Sequence, residues 1–159
     1  MSIVNLQDLT NLAEKALASE DILLMIELSK KKIEKSKEPF IWEVLSERLL
    51  RGTFPEGIRS AWMFFLRPNS SSPSHRHPNS VQYSAIVEGG GMIRIGKVQK
   101  KIQIFDPLRR QAWYVIRTNV PHEFITGIRT NVVLSFHTVR PNELIEVETS
   151  TGRSRFYET

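Results

Sequence analysis

Apolar side chains recur at two different periods along this chain, and the period changes near residue 57. In the first part Leu6, Leu9, Ala13, Ala16 and Leu17 fall at helical spacing, one stripe of a 3.6-residue repeat. Ile22, Met25, Ile26 and Ile33 predict the inner face of a second helix, with Asp21 as a candidate N-cap. Pro39 followed by Ile41, Val44, Leu45 and Leu49 predicts a third. Helices this short need a tertiary surface to be stable, so the pattern predicts that residues 1–50 pack on the remainder.

Beyond Gly57 the elements shorten. Apolar and aromatic runs over 59–66, 81–88, 92–95, 99–105, 112–117, 131–139 and 144–149 read as strands. A polar loop spans 69–74, and the run Gly89-Gly90-Gly91 supplies a turn. Short, evenly spaced strands predict an antiparallel sandwich or barrel over 55–159. At 159 residues without a repeat or low-complexity tract, helices and strands are expected to share one core as a single domain, 1–159.

Composition narrows the function classes. No apolar run approaches the ~20 residues that span a bilayer, and residues 1–10 lack a basic segment leading into an apolar one, so neither membrane span nor signal peptide is expected. The absence of cysteine excludes disulfides, thiolate metal ligands and a cysteine nucleophile, and fits a cytoplasmic protein. The net charge of +5 is gathered in Lys30, Lys31, Lys32, Lys35 and Lys37, and again in Lys97, Lys100, Lys101, Arg109 and Arg110. Interspersed Glu34, Glu38 and Asp106, with no nucleic-acid motif, make these a solvated helix face and a charged hairpin. No nucleic-acid or membrane partner is expected, and a basic field suits small anionic substrates.

The chemistry lies in four histidines: His75, His77, His122 and His137. In His75-Arg76-His77 on an extended segment both imidazoles lie on one face, ~7 Å apart along the chain, and can grip one divalent ion. After four intervening residues stands Gln82, and after six more Gly89. Later, Asn119-Val120-Pro121-His122 delivers a third imidazole through a tight turn into a strand, with Asn119 suited to a left-handed position.

These two motifs resemble those of the cupins: His-x-His, a short gap, Glu, six residues, Gly, and then Gly-x-x-His entering a strand. Gln82 stands at the glutamate position and Asn119 at the second glycine position. Within the cupins the chain most resembles cysteine dioxygenase and the thiol dioxygenases. The resemblance rests on the segment from Glu47 to Gly52, the strand from Ser60 to Leu66, the loop from Ser72 to His77, Ser135-Phe136-His137 fifteen residues beyond His122, and Thr151-Gly152. It implies a mainly β, cupin-type antiparallel jelly roll preceded by N-terminal helices. His75, His77 and His122 would hold a divalent metal, foremost Fe²⁺, with Ni, Zn and Mn also suited to such ligands. His137, hydrogen-bonded to Ser135 or water, would serve catalysis. Arg48, with Arg51 as its rival, would grip a substrate carboxylate, and Gln82 would contact metal or substrate. The activity implied is oxidation of a small, cysteine-like thiol carboxylate by O₂ to a sulfinate. Val139 replaces the family's tyrosine, and Gln82 replaces the cysteine of its Cys–Tyr crosslink, so that crosslink cannot form. Two other readings stay open: a metal cupin with another activity, such as a different dioxygenase or an isomerase, and a non-catalytic small-molecule sensor. A homodimer is compatible with all three.

Overall fold

A computed structural model describes residues 3–109 and 112–157. Arg110, from the second basic run, lies outside them. Two helices lead, α1 (Leu6–Leu17) and α2 (Glu20–Lys35). Asn5 caps α1, its side chain accepting from the backbone N–H groups of Gln7 and Asp8. The N-cap of α2 is Ser19, so Asp21 falls inside the first turn, where its charge complements the helix dipole. Lys30 pairs with Glu88 at 2.8 Å and Glu27 at 3.5 Å, which offsets part of the first basic run.

The expected third helix is mostly a strand. Phe40–Leu45 forms β1, and only Glu47–Leu50 is helical, as α3 behind the Ser46 cap. The reason is visible in the packing. Phe40, Trp42 and Val44 face the aromatic cluster around Trp62 and Tyr157, whereas Ile41 and Leu45 face the helices. That is a period of two, which the fortuitous 41–44–45–49 spacing concealed.

The remaining strands are β2 (Ser60–Leu66), β3 (His75–Arg76), β4 (Gln82–Glu88), β5 (Gly91–Ile95), β6 (Val98–Lys101), β7 (Tyr114–Ile116), β8 (His122–Thr126), β9 (Asn131–His137), β10 (Ile145–Glu148) and β11 (Ser154–Phe156). They form two antiparallel sheets, ordered β1-β2-β9-β4-β7 and β11-β10-β3-β8-β5-β6. The turn at Gly89 needs glycine: its φ is 110°, and a Cβ there would lie 1.9 Å from the Asn131 side chain.

The first sheet is buried on both faces. Its outer face (Ala61, Met63, Phe65, Leu134 and Phe136) shares one apolar core with Leu9, Leu12, Ala13, Ala16, Ile22, Ile26 and Ile33 of the helices. Trp113 Nε1–H donates to Thr10 Oγ1 across this layer at 2.9 Å. Its inner face turns Trp62, Phe64, Val133, Ser135 and His137 toward the second sheet. This explains why every residue of β9 is buried. Among the described residues no helix is long and apolar enough to cross a membrane.

The helix layer is therefore expected to carry much of the stability. Leu9→Ala should cost about 2–5 kcal/mol in urea denaturation, the usual range for truncating a fully buried leucine. Leu24→Ala, on the exposed side of α2, should stay within about 0.5 kcal/mol.

Candidate metal centre

The site is assembled by strand register. His75 pairs directly with His122, and His122 with Ile95, so β3, β8 and β5 set these side chains in one row across the second sheet. His77 follows two residues after His75, on the same face. Asn119 adopts φ 63°, the left-handed turn expected of it, and its N–H donates to the His77 carbonyl at 2.9 Å. The turn that delivers His122 is thus tied to the segment that carries the other two ligands. The ring centroids of His75 and His122 lie 4.3 Å apart, those of His75 and His77 5.0 Å, and those of His77 and His122 5.3 Å. One ligating atom from each lies within 4.8 Å of the others.

The hydrogen bonds identify those atoms. Nδ1 of His75 contacts the Pro73 carbonyl at 2.9 Å, that of His77 the Ile145 carbonyl at 2.8 Å, and that of His122 the Val120 carbonyl at 3.0 Å. A carbonyl only accepts, so each Nδ1 carries the proton, and in the neutral ring the lone pair then lies on Nε2. Nε2 of His122 is buried and has no partner among the described residues. An unpartnered buried acceptor is costly in an apolar interior, and a divalent cation satisfies it.

Electrostatics keep two of the donors neutral. Burial first, then the neighbouring His75, pushes the His77 pKa down to about 4. Burial, with His75 and His77 beside it, holds His122 well below the usual imidazole value. Both are therefore unprotonated at neutral pH, the form that binds metal.

His137 stands beside the trio, its ring centroid 5.0 Å from that of His77. Its Nδ1 contacts Ser80 Oγ at 2.9 Å, and Nε2 is buried without a partner. Ser80, not Ser135, is thus its hydrogen-bond partner. Ser135 lies two residues back on the same strand and instead bonds Ser84 Oγ at 2.8 Å. Gln82 Nε2–H donates to Ser84 Oγ at 2.8 Å, which fixes the amide and leaves its Oε1 unpartnered beside the histidines.

A narrow cavity of about 30 Å³ opens beside His75 and His77. Phe40, Phe64, Leu66, Phe124 and Val133 give it apolar walls, and Ser72, Gln82, Ser135 and Tyr157 contribute its polar edge. Arg48 is exposed on α3 and does not line it. Arg51 is also exposed, 3.8 Å from Asp21. The carboxylate grip assigned to these arginines is therefore not built: α3 stands on the helix side of the first sheet, with Leu50 in the outer core, whereas the cavity opens on the inner side.

Two residues at this site were missed by sequence reasoning. Glu146 on β10 is buried with one oxygen 3.7 Å from His75 Nε2. Burial alone would raise its pKa, but His75, the Tyr157 hydrogen bond and Arg155 together hold it below the usual carboxylate value. Tyr157 donates to Glu146 and packs edge-on against Trp42 and Trp62. Burial, followed by the charge of Glu146, pushes its phenol pKa well up. Val139, where a tyrosine was missing, packs against this same cluster.

No protein-family profile matches the chain, and no curated protein does. Solved structures do. The DMSP lyase DddQ from Ruegeria pomeroyi superposes at a TM-score of 0.53 with 18% identity, covering 74% of this chain and 58% of that one. The fold is that of a cupin. An oxalate decarboxylase from Lactobacillus farciminis matches this chain at 0.53 and 16%, covering 72% of it. A salicylate 1,2-dioxygenase from Pseudaminobacter salicylatoxidans matches at 0.53 and 10%, covering 70%. The chain spans 32% of each of these two larger enzymes.

If the trio is the ligand set, His122→Ala should remove most bound metal from a barrel that remains folded, whereas His137→Ala should keep it. Metal analysis of the purified variants, with circular dichroism as the folding control, checks both. The pH dependence has a definite sign. His77, His122 and His137 titrate lower in the folded chain than when unfolded, so the unfolded chain binds more protons below about pH 6.5. Stability of the metal-free protein should be full above that pH and fall as the pH drops toward 4, read as a falling urea midpoint.

Proposed function

We propose that this cupin is a metal-dependent oxygenase, with Fe²⁺ held by His75, His77 and His122, that oxidises a small thiol to its sulfinate with O₂. The observation that carries the reading is the cluster of three imidazoles whose Nδ1–H groups are committed to backbone carbonyls, leaving Nε2 of each as the atom to ligate. Three nitrogen donors leave coordination positions open for exogenous ligands. When bound, iron supplies a Lewis-acidic, redox-active centre at which thiolate and O₂ can both be held. The reaction balances as RSH plus O₂ giving RSO₂H, with two S–O bonds formed, the O–O bond broken and sulfur as the reductant.

This chain's own residues set what enters. The cavity has room for a few non-hydrogen atoms, and its apolar walls exclude water from the reacting sulfur. Gln82 Oε1, fixed by the bond from its amide to Ser84, offers an acceptor to a substrate N–H or O–H. Among the described residues no arginine or lysine lines the cavity, so the thiol we propose does not depend on Arg48 to hold a carboxylate.

Oxygen uptake decides the matter. The Fe²⁺-loaded protein should consume O₂ with one or more of cysteine, cysteamine and 3-mercaptopropionate, forming one sulfinate per O₂ by mass spectrometry, and chelation should abolish it. Arg48→Lys should change kcat/KM by less than about twofold, since surface substitutions away from a site are nearly neutral. Metal-replete protein that takes up no O₂ with any thiol would transfer the proposal to a different cupin reaction.

A further inference from the structure

We infer that Glu146 is a fourth, anionic donor to the metal centre, held in position by Tyr157 and Arg155. The inference rests on the metal-binding reading above and extends it to a residue on another strand.

Register places Glu146 on the metal face. In the β10–β3 pair Glu148 lies opposite His75 and Val147 opposite Arg76. Side chains alternate along a strand, so Glu146 shares the face of Glu148, His75 and His77. On its other side Glu146 pairs with Arg155 of β11. Tyr157, two residues beyond Arg155, returns to the same face.

The carboxylate is buried, 6% exposed, a position glutamate rarely takes without strong partners. One oxygen accepts from Arg155 Nε at 3.0 Å. The other accepts from the Tyr157 hydroxyl. These bonds fix both oxygens and leave lone pairs unused. The Tyr157-bonded oxygen lies 3.7 Å from His75 Nε2, the one nitrogen of that ring free to ligate. That distance is too long for a hydrogen bond. It suits two donors of one ion, which at bond lengths of about 2.1 Å sit no more than ~4.2 Å apart. The ligating atoms all within 4.8 Å of one another are those of the three histidines alone, so the carboxylate joins them by a small shift past His75 on metal loading.

A structural ion pair closing the β10–β11 hairpin is the plain alternative, and it leaves the burial unexplained. Arg155 is 45% exposed at its side chain, so a carboxylate serving only that pair could meet it at the surface, in water. Glu146 instead turns inward beside His75, with a buried phenol positioned on it. Gln82, on β4, is neutral and its amide nitrogen is committed to Ser84. Among the described residues Glu146 of β10 is the carboxylate within 4 Å of a site histidine, and as a donor it would lower the net charge of the three-histidine site from +2 to +1.

Cobalt tests this without turnover. The full chain, stripped by chelator, is titrated with Co²⁺, and the infrared difference spectrum between loaded and metal-free protein is recorded. The expected result is a shift of one carboxylate stretching pair on loading. In Glu146→Gln that shift should vanish, the Co²⁺ d–d bands should move, and affinity should fall by about ten- to a hundredfold or more. Tyr157→Phe, which keeps the carboxylate and the ring, should retain the infrared shift and weaken binding less. Co²⁺ uptake by the wild-type chain without any carboxylate shift overturns the inference and leaves the metal reading intact, even if Glu146→Gln misfolds. A carboxylate shift that persists in folded Glu146→Gln also overturns it. Wild-type protein that takes up no Co²⁺ overturns the metal reading, and this inference with it.

Discussion

Three backbone carbonyls decide what this barrel can do. Those of Pro73, Ile145 and Val120 each take the Nδ1 proton of one histidine. A neutral imidazole with Nδ1 engaged has no choice of tautomer, so its lone pair lies on Nε2. If those carbonyls pointed elsewhere, the same residues at the same register would be three surface-type histidines with interchangeable protons. One carbonyl comes from the loop before β3, one from β10 and one from the turn before β8, so local structure on three separate elements must be right for one site to exist. The Asn119 turn joins two of them, because its N–H bonds the His77 carbonyl while its geometry aims His122.

How far the sequence could be read follows from which of these constraints are local. The spacing from His75 to Gly89, the left-handed Asn119 and the turn that launches His122 are all short-range, and the structure places them as the spacing implies. The two leading helices were legible because their apolar stripes face a single core. The stretch 40–45 was not, because its period-two pattern depends on two different cores, aromatic on one side and aliphatic on the other, and neither is visible in six residues. The partner of His137 was misassigned for the same reason: Ser135 is near in sequence, but Ser80 is near in space. Glu146 and Tyr157 gave no signal at all. A glutamate within Ile145-Glu146-Val147-Glu148 looks like the solvent face of a strand, and only the pairing of β10 between β3 and β11 turns it inward.

Stability and chemistry are separated by the first sheet. Its outer face packs on the helices in a core made of Leu, Ile, Ala, Met and Phe, with few polar groups to satisfy. Its inner face tolerates buried nitrogen and oxygen atoms without protein partners at His137 and Gln82, and the facing sheet adds another at His122. Each such atom destabilises the fold by about 1–3 kcal/mol. A small barrel closed on its own interior would have little margin for several of them, since native stabilities are only about 5–15 kcal/mol. The helix layer supplies apolar burial that does not compete for the space around the site.

That division also explains the character of the cavity. Its walls are aromatic and aliphatic, and Arg155, beside Tyr157 at the polar edge, is already bonded to Glu146 and stacked over Phe40 and Tyr157 at 5.1 and 4.8 Å. A charged substrate tail would thus enter a space whose cation is spent. Attraction into the cavity would come from a metal held by the histidines and from the unpartnered Gln82 oxygen. With a metal in place, such a site would select for what a ligand presents first, a metal-binding atom with a hydrogen-bond donor beside it. It is much less selective for charge at the far end, and that is the physical reason an arginine on the helix side of the sheet has no part in it.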